Sequence, residues 1–176
     1  MKIIHVVAPL LSIGISVVAC AASADDVPES LRTPADESLL LEATGKGVQI
    51  YECVAAPDQP THFEWKLKAP DAELFDAKGT KIGKHYAGPT WELSDGSKVV
   101  GKLKARSDSP DANAIPWLLL SAETTSGAGA LSGTKSIQRL KTSGGKAPEQ
   151  ACTDGSATAP VRVPYSAQYK FYGSKR

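Results

Sequence analysis

An excess charge of either sign is missing from this chain. Twenty lysines and arginines stand against nineteen acids, and Lys2 is the only charged residue before Asp25, so residues 25–176 balance to zero. A nucleic-acid binder carries a basic excess and an acidic solvating tail the opposite; neither pattern is present. Neutrality also argues against a partner captured by long-range electrostatic steering. Histidine is scarce, with three in 176 residues. One of them, His5, falls in the apolar N-terminal stretch, which leaves His62 and His85. A zinc site normally takes three or four Cys, His or carboxylate ligands, so no metal and no cofactor are expected. The GxSxG elbow of the serine hydrolases and the HExxH helix of the zinc proteases are both lacking. Beyond the first 24 residues no stretch of ten or more carries a 3.6-residue apolar period, which excludes a helical domain.

What the N-terminus does contain is an export pattern. Lys2 precedes an apolar run, Ile3 to Val18, broken only by His5, Pro9, Ser12, Gly14 and Ser16. Ala22-Ser23-Ala24 then offers small residues for cleavage just before Asp25-Asp26. The run is too short and too interrupted for a membrane span. Residues 1–24 are read as a cleavable signal, giving a periplasmic or secreted protein. Val17-Val18-Ala19-Cys20 also fits a lipobox, in which Cys20 is lipidated. Soluble export is the preferred reading, and an outer-membrane lipoprotein, membrane-bound only through Cys20, is the alternative.

Cleavage leaves two of the three cysteines, Cys53 and Cys152. In an oxidising compartment an even pair is most simply a disulfide; it requires α-carbons within about 7 Å. The competing reading, a metal pair or reactive thiol, has no CxxC or Cys-His spacing behind it.

Residues 25–37 hold two prolines and five acids and read as a mobile leader or an edge-packing segment. From Ser38 to Ser174 the period is two. Val48, Ile50 and Val54 alternate with Gln49, Tyr51 and Cys53. Phe63, Trp65 and Leu67 alternate with His62, Glu64, Lys66 and Lys68, the pattern of a half-buried strand. Asp76 to Gly79 and Ser94 to Ser97 read as hairpin turns, the second an Asp-Gly signal. Ile115 to Leu120 is a continuous apolar run, covered on both faces, with Pro116 at its start or in a bulge. Ser136 to Leu140 forms a further strand. Val163, Tyr165, Ala167, Tyr169 and Phe171 share one face of the last. Loops are expected at 106–114, 124–133 and 142–160. The expected fold is a single all-β domain, an antiparallel sandwich or flattened barrel of about nine or ten short strands.

Few residues suggest chemistry. Asp108, Asp111 and Asn113 lack the EF-hand spacing and read as a solvated turn. Gly127-Ala128-Gly129 precedes no helix whose N-terminus could hold phosphate, so it reads as a hairpin connection. The segment HYAGPTW (85–91) is different. It crowds His85, Tyr86 and Trp91 around Gly88-Pro89, with Asp95 and Ser97 at the next turn. His85 is a conceivable acid or base oriented by Asp95, with Tyr86 and Trp91 as a stacking wall. Against this stands a plain tight turn whose aromatics fill the core.

Together GVQIYEC (47–53), HYAGPTWELSDGS (85–97), IPWLLL (115–120), IQRLKTSGG (137–145) and VPYSAQYKFY (163–172) resemble the secreted bacterial and fungal family called domain of unknown function 3455. The resemblance spans about residues 28–172 and includes both Cys53 and Cys152. It implies an exported single-domain protein and brings no catalytic residues or cofactor.

These readings lead to an expected monomeric binding module for a small molecule or glycan, held near His85, Tyr86, Trp91, Asp95, Trp117 and Arg139. The alternatives are a hydrolase or lyase using His85 with Asp95, and an envelope or cell-surface interaction protein.

Overall fold

The computed structural model describes residues 27–153 and 159–175. The export signal over 1–24, Cys20 and Asp25-Asp26 lie outside the described residues. Among the described residues eight strands run in chain order: β1 (Glu37–Ala56), β2 (Gln59–Phe75), β3 (Lys81–Tyr86), β4 (Thr90–Leu93), β5 (Lys98–Ser107), β6 (Trp117–Ser126), β7 (Ser136–Gly144) and β8 (Val161–Ser174). Each pairs antiparallel with the next, and β8 returns to β1, closing an up-and-down barrel. The expected count of nine or ten is therefore corrected to eight. Strands are fewer because two are long: β1 spans 20 residues and β2 spans 17.

Glycine and proline inside these strands do not end them, for reasons the packing supplies. A Cβ on Gly45 would stand 2.5 Å from Cε2 of Tyr169, so its absence admits that ring to the barrel interior. Pro70 pairs with Gln49 of β1, but β3 meets β2 only at Ala72 to Phe75. At Pro70 β2 is an edge, where a missing N–H breaks no ladder.

The interior face of β1 carries Ala43, Gln49, Tyr51 and Cys53, all buried, whereas Val48, Ile50 and Val54 are only half-buried on the outer face. Alternation was legible there; the polar-looking set is the inner one. In β8 the buried set from Tyr165 to Phe171 follows the sequence pattern. The apolar run Ile115 to Leu120 enters β6 only at Trp117, so Pro116 precedes the strand. Leu120 joins the barrel core, with Leu118 packed against it, while Trp117 and Leu119 point outward under Leu31. That coverage comes from the acidic N-terminal segment. Glu29–Leu31 forms a 3-10 turn, Leu31 is fully buried, and its carbonyl accepts from Gln138 Nε2 at 2.6 Å.

One end of the barrel is sealed. The loop after β6 drops Leu131, fully buried, into it. Asp95 Oδ2 accepts from the Ala130 N–H at 2.8 Å, and Ser97 Oγ from the Leu131 N–H at 3.1 Å. At the other end Cys53 and Cys152 form a disulfide, with α-carbons 5.8 Å apart across 99 residues of sequence. It ties the tall β1–β2 hairpin to the segment before β8, beside a Trp65 Nε1 bond to the Gln150 carbonyl at 2.9 Å. The short β3–β4 hairpin leaves a gap in this wall. Residues 59–71 of β2 have no partner in β3, and β5 meets β4 only from Lys98 to Val100. Above the turn at Gly88-Pro89, β2 and β5 face each other across a notch.

Candidate functional site

The notch opens into a cavity of about 380 Å³ inside the barrel, about the liquid volume of a dozen waters. Its rim carries Leu67, Pro70, Pro89 and Leu103. Leu67 and Leu103 are 48% and 55% exposed, among the few large apolar side chains left in solvent. Leu118 and Leu120 line the middle, and His85, Trp91, Tyr169, Arg139 and Gln49 lie deeper. The walls are apolar and the inner end polar.

His85 and Trp91 are directly opposed across β3 and β4. Their rings stack with centroids 4.3 Å apart and planes 11° from parallel. Tyr169 meets His85 at 5.1 Å and Trp91 edge-on at 5.4 Å, and Phe171 closes the set beneath Trp91 at 5.9 Å. His85 Nδ1 lies 2.8 Å from the Thr90 carbonyl, so this nitrogen carries the proton and Nε2 is a bare acceptor. Burial drives the imidazole pKa down to about 3, and the Arg139 charge pushes the same way against the Thr90 bond. At neutral pH His85 is uncharged.

Arg139 projects inward from β7, between Leu118 of β6 and Tyr169 of β8. Its Nε and Nη2 donate to the Pro116 carbonyl at 3.2 and 2.9 Å. A further bond joins the guanidinium to the Tyr169 hydroxyl; an arginine has five N–H donors, so these partners leave part of the fork free. Burial lowers the guanidinium pKa, with the hydroxyls of Tyr169, Tyr165 and Tyr51 as its electrostatic neighbours. Tyr165 and Tyr169 hydroxyls sit 3.1 Å apart, and burial raises the pKa of both phenols. No carboxylate pairs with Arg139 among the described residues. Two further lining residues hold unpaired donors: Gln49 Nε2 and Trp91 Nε1 are buried with no hydrogen-bond partner.

The sequence-derived set therefore divides. His85, Trp91 and Arg139 come together at the cavity. Tyr86 alternates to the outside of β3, where its hydroxyl donates to Glu92 at 2.6 Å and Lys84 lies over its ring; it builds no stacking wall with Trp91. Asp95 is engaged at the sealed end by the Ser97 N–H and hydroxyl, at 2.8 and 2.6 Å, and by Ala130. Those bonds hold its carboxyl below the usual range, the Ser97 hydroxyl contributing most. His85 is oriented by Thr90 instead, so the proposed His85–Asp95 pair is not formed. Trp117 packs on the outer wall with Leu31, Leu119 and Leu140. Two Ser-x-x-Lys strings, Ser132 to Lys135 and Ser143 to Lys146, lie off the cavity, and Lys146 Nζ donates to the Ala112 carbonyl. Asp111 Oδ1 accepts from the Asn113 N–H at 2.8 Å, an ordinary turn.

Gln49, Tyr169, Leu118 and Leu120 were not singled out from sequence. Gln49 shares parity with Gly45, Gly47, Tyr51 and Cys53, and that glycine-bearing face was the available signal. Tyr169 belonged to a well-patterned face that reads as plain core.

An antiparallel eight-stranded up-and-down barrel with a cavity reached through its wall is the class that fold and site define. The chain belongs to the family described as "Protein of unknown function (DUF3455)", whose model matches residues 34–173. No curated protein and no solved structure matches it.

Proposed function

We propose that this protein is an exported binding module that encloses a small molecule in the barrel, with the apolar part of the ligand against Leu118, Leu120 and the rim. The observation that carries the reading is the cavity itself. Eight-stranded barrels have interiors wide enough either to fill with side chains or to hold one small ligand. Here buried side chains fill the sealed half, among them Leu74, Val99, Leu131, Ile137 and Phe171, and Tyr51, Ile115 and Tyr165 fill part of the other end, but the space between Gln49, His85, Leu118 and Arg139 stays open. Convergent polar groups at the inner end of an apolar pocket are the usual make-up of a ligand site. A buried unpaired donor costs about 1–3 kcal/mol, so Gln49 and Trp91 mark a place where stability is forgone.

A recessed, apolar-walled cavity suits a small molecule better than a glycan, since among the described residues the large apolar side chains left exposed are leucines and not aromatic rings. An acid–base enzyme is the weaker reading, because a buried histidine with a pKa near 3 takes up no second proton at neutral pH, and its one N–H is committed to the Thr90 carbonyl. The test is titration with N-phenyl-1-naphthylamine, a neutral dye that brightens in apolar surroundings. Saturable binding is expected, weakened at least tenfold by Leu118→Trp and unchanged by Leu39→Ala on the exposed outer face. No saturable binding, or binding that Leu118→Trp leaves intact, contradicts the proposal.

A further inference from the structure

From the unpaired guanidinium at the cavity's inner end, we infer that the ligand is an organic monocarboxylate, its carboxylate seated on Arg139 and its apolar body directed toward Leu67 and Leu103. This deepens the binding reading above and rests on it. Arg139 is a cavity-lining cation that two bonds to the Pro116 carbonyl fix in place. Arg139 is half-buried; a carbonyl satisfies its N–H groups but not its charge, and a charge withdrawn from water without a counter-ion is disfavoured. With the Tyr169 hydroxyl also on the guanidinium, the N–H groups that remain suit a carboxylate, whose oxygens accept charge-assisted bonds from an arginine.

The surroundings set the charge of the guest. Lys68, the other cation lining the cavity, is already paired with Glu52 on the outside. His85 is neutral, and its Nε2 offers a lone pair and no proton to an anion. One uncompensated positive charge calls for one negative charge, so a phosphate dianion is a poor fit. The hydroxyls of Tyr165 and Tyr169 stay protonated and bond each other, which leaves one of the two protons free to donate. Apolar rim, apolar middle and a single cation at depth describe an amphipathic acid entering head first.

The experiment displaces N-phenyl-1-naphthylamine with three eight-carbon ligands: octanoate, octanamide and octylammonium. In the unaltered protein octanoate should displace the dye at least tenfold more tightly than octanamide, and octylammonium least well. In Arg139→Gln the dye should still bind, with the preference for octanoate over octanamide falling below twofold. A merely structural role for Arg139 would weaken all ligands alike and leave the ratio unmoved, which overturns the inference. Equal potency of octanoate and octanamide in the unaltered protein overturns it without any variant, so a poorly folding Arg139→Gln does not rescue it. Failure of the dye to bind at all counts against the barrel-cavity reading instead.

Discussion

Lowering the pH from 7 toward 3 perturbs one buried group in a way the structure makes calculable. His85 is 2% exposed, stacked on Trp91 and held by the Thr90 carbonyl, and its folded pKa is about 3. In the unfolded chain a histidine titrates near 6.5. Between those values the unfolded chain takes up a proton that the folded chain refuses, so the unfolding free energy falls as pH falls. The slope is about 1.4 kcal/mol per pH unit for one proton. Across the window the loss is on the order of 4–5 kcal/mol as an upper bound. Above pH 6.5 and below pH 3 this contribution is flat. Carboxylates such as Asp95 also titrate in the acid range, so the readout is a difference. Urea denaturation at several pH values is compared between the unaltered protein and His85→Gln, and the two stability curves should converge as pH falls from 6.5. In parallel, the His85 Cε1–H resonance should not move between pH 8 and 5. A midpoint between pH 5 and 8 in the folded state, or parallel stability curves, would refute the assignment of a neutral buried imidazole.

Replacing both Cys53 and Cys152 by serine releases a loop of about 100 residues; the chain-entropy model sets the loss at up to about 4.7 kcal/mol, measured by denaturant titration. Because that bridge anchors the tall hairpin above the cavity, dye affinity should fall as well. Asp95→Asn should speed amide hydrogen exchange across residues 127–135, since Asp95 and Ser97 hold that loop over the sealed end, while leaving octanoate affinity within twofold. Leu31→Ala removes a fully buried side chain from Trp117, Leu119 and Leu140; about 2–5 kcal/mol of stability should be lost with the dye site retained. For export, intact mass should give an N-terminus at Asp25, and fatty-acid labelling should be absent; label that disappears in Cys20→Ala would establish the lipidated form.

Much of the scaffold could be read directly from residue order. Alternation exposed the strands, Asp-Gly placed the β4–β5 turn, and the expectation of an oxidising compartment paired Cys53 with Cys152. The strand count erred because glycine and proline carry local signals whose outcome depends on neighbours. Gly45 accommodates a ring 124 positions away, and Pro70 sits where the sheet happens to have an edge. The site was half legible. His85 and Trp91 are six positions apart and joined by one hairpin, so their proximity follows from local sequence. Arg139 reaches them only because the barrel closes, and Gln49 only because β1 turns its polar set inward. Asp95 lies nearer in sequence to His85 than Arg139 does, yet the strand β4 carries it to the opposite end of the barrel. Long-range closure, not spacing, decides which of these groups meet.

The most direct measurement is of intermolecular nuclear Overhauser effects between octanoate and the methyl and aromatic protons of the ¹³C-labelled protein. Cross-peaks from the terminal methyl to Leu67 and Leu103, and from the protons beside the carboxylate to Leu118 and Tyr169, are the predicted result. Contacts confined to outward-facing side chains such as Leu39, with Leu118 and Leu120 silent, would contradict a ligand housed inside the barrel.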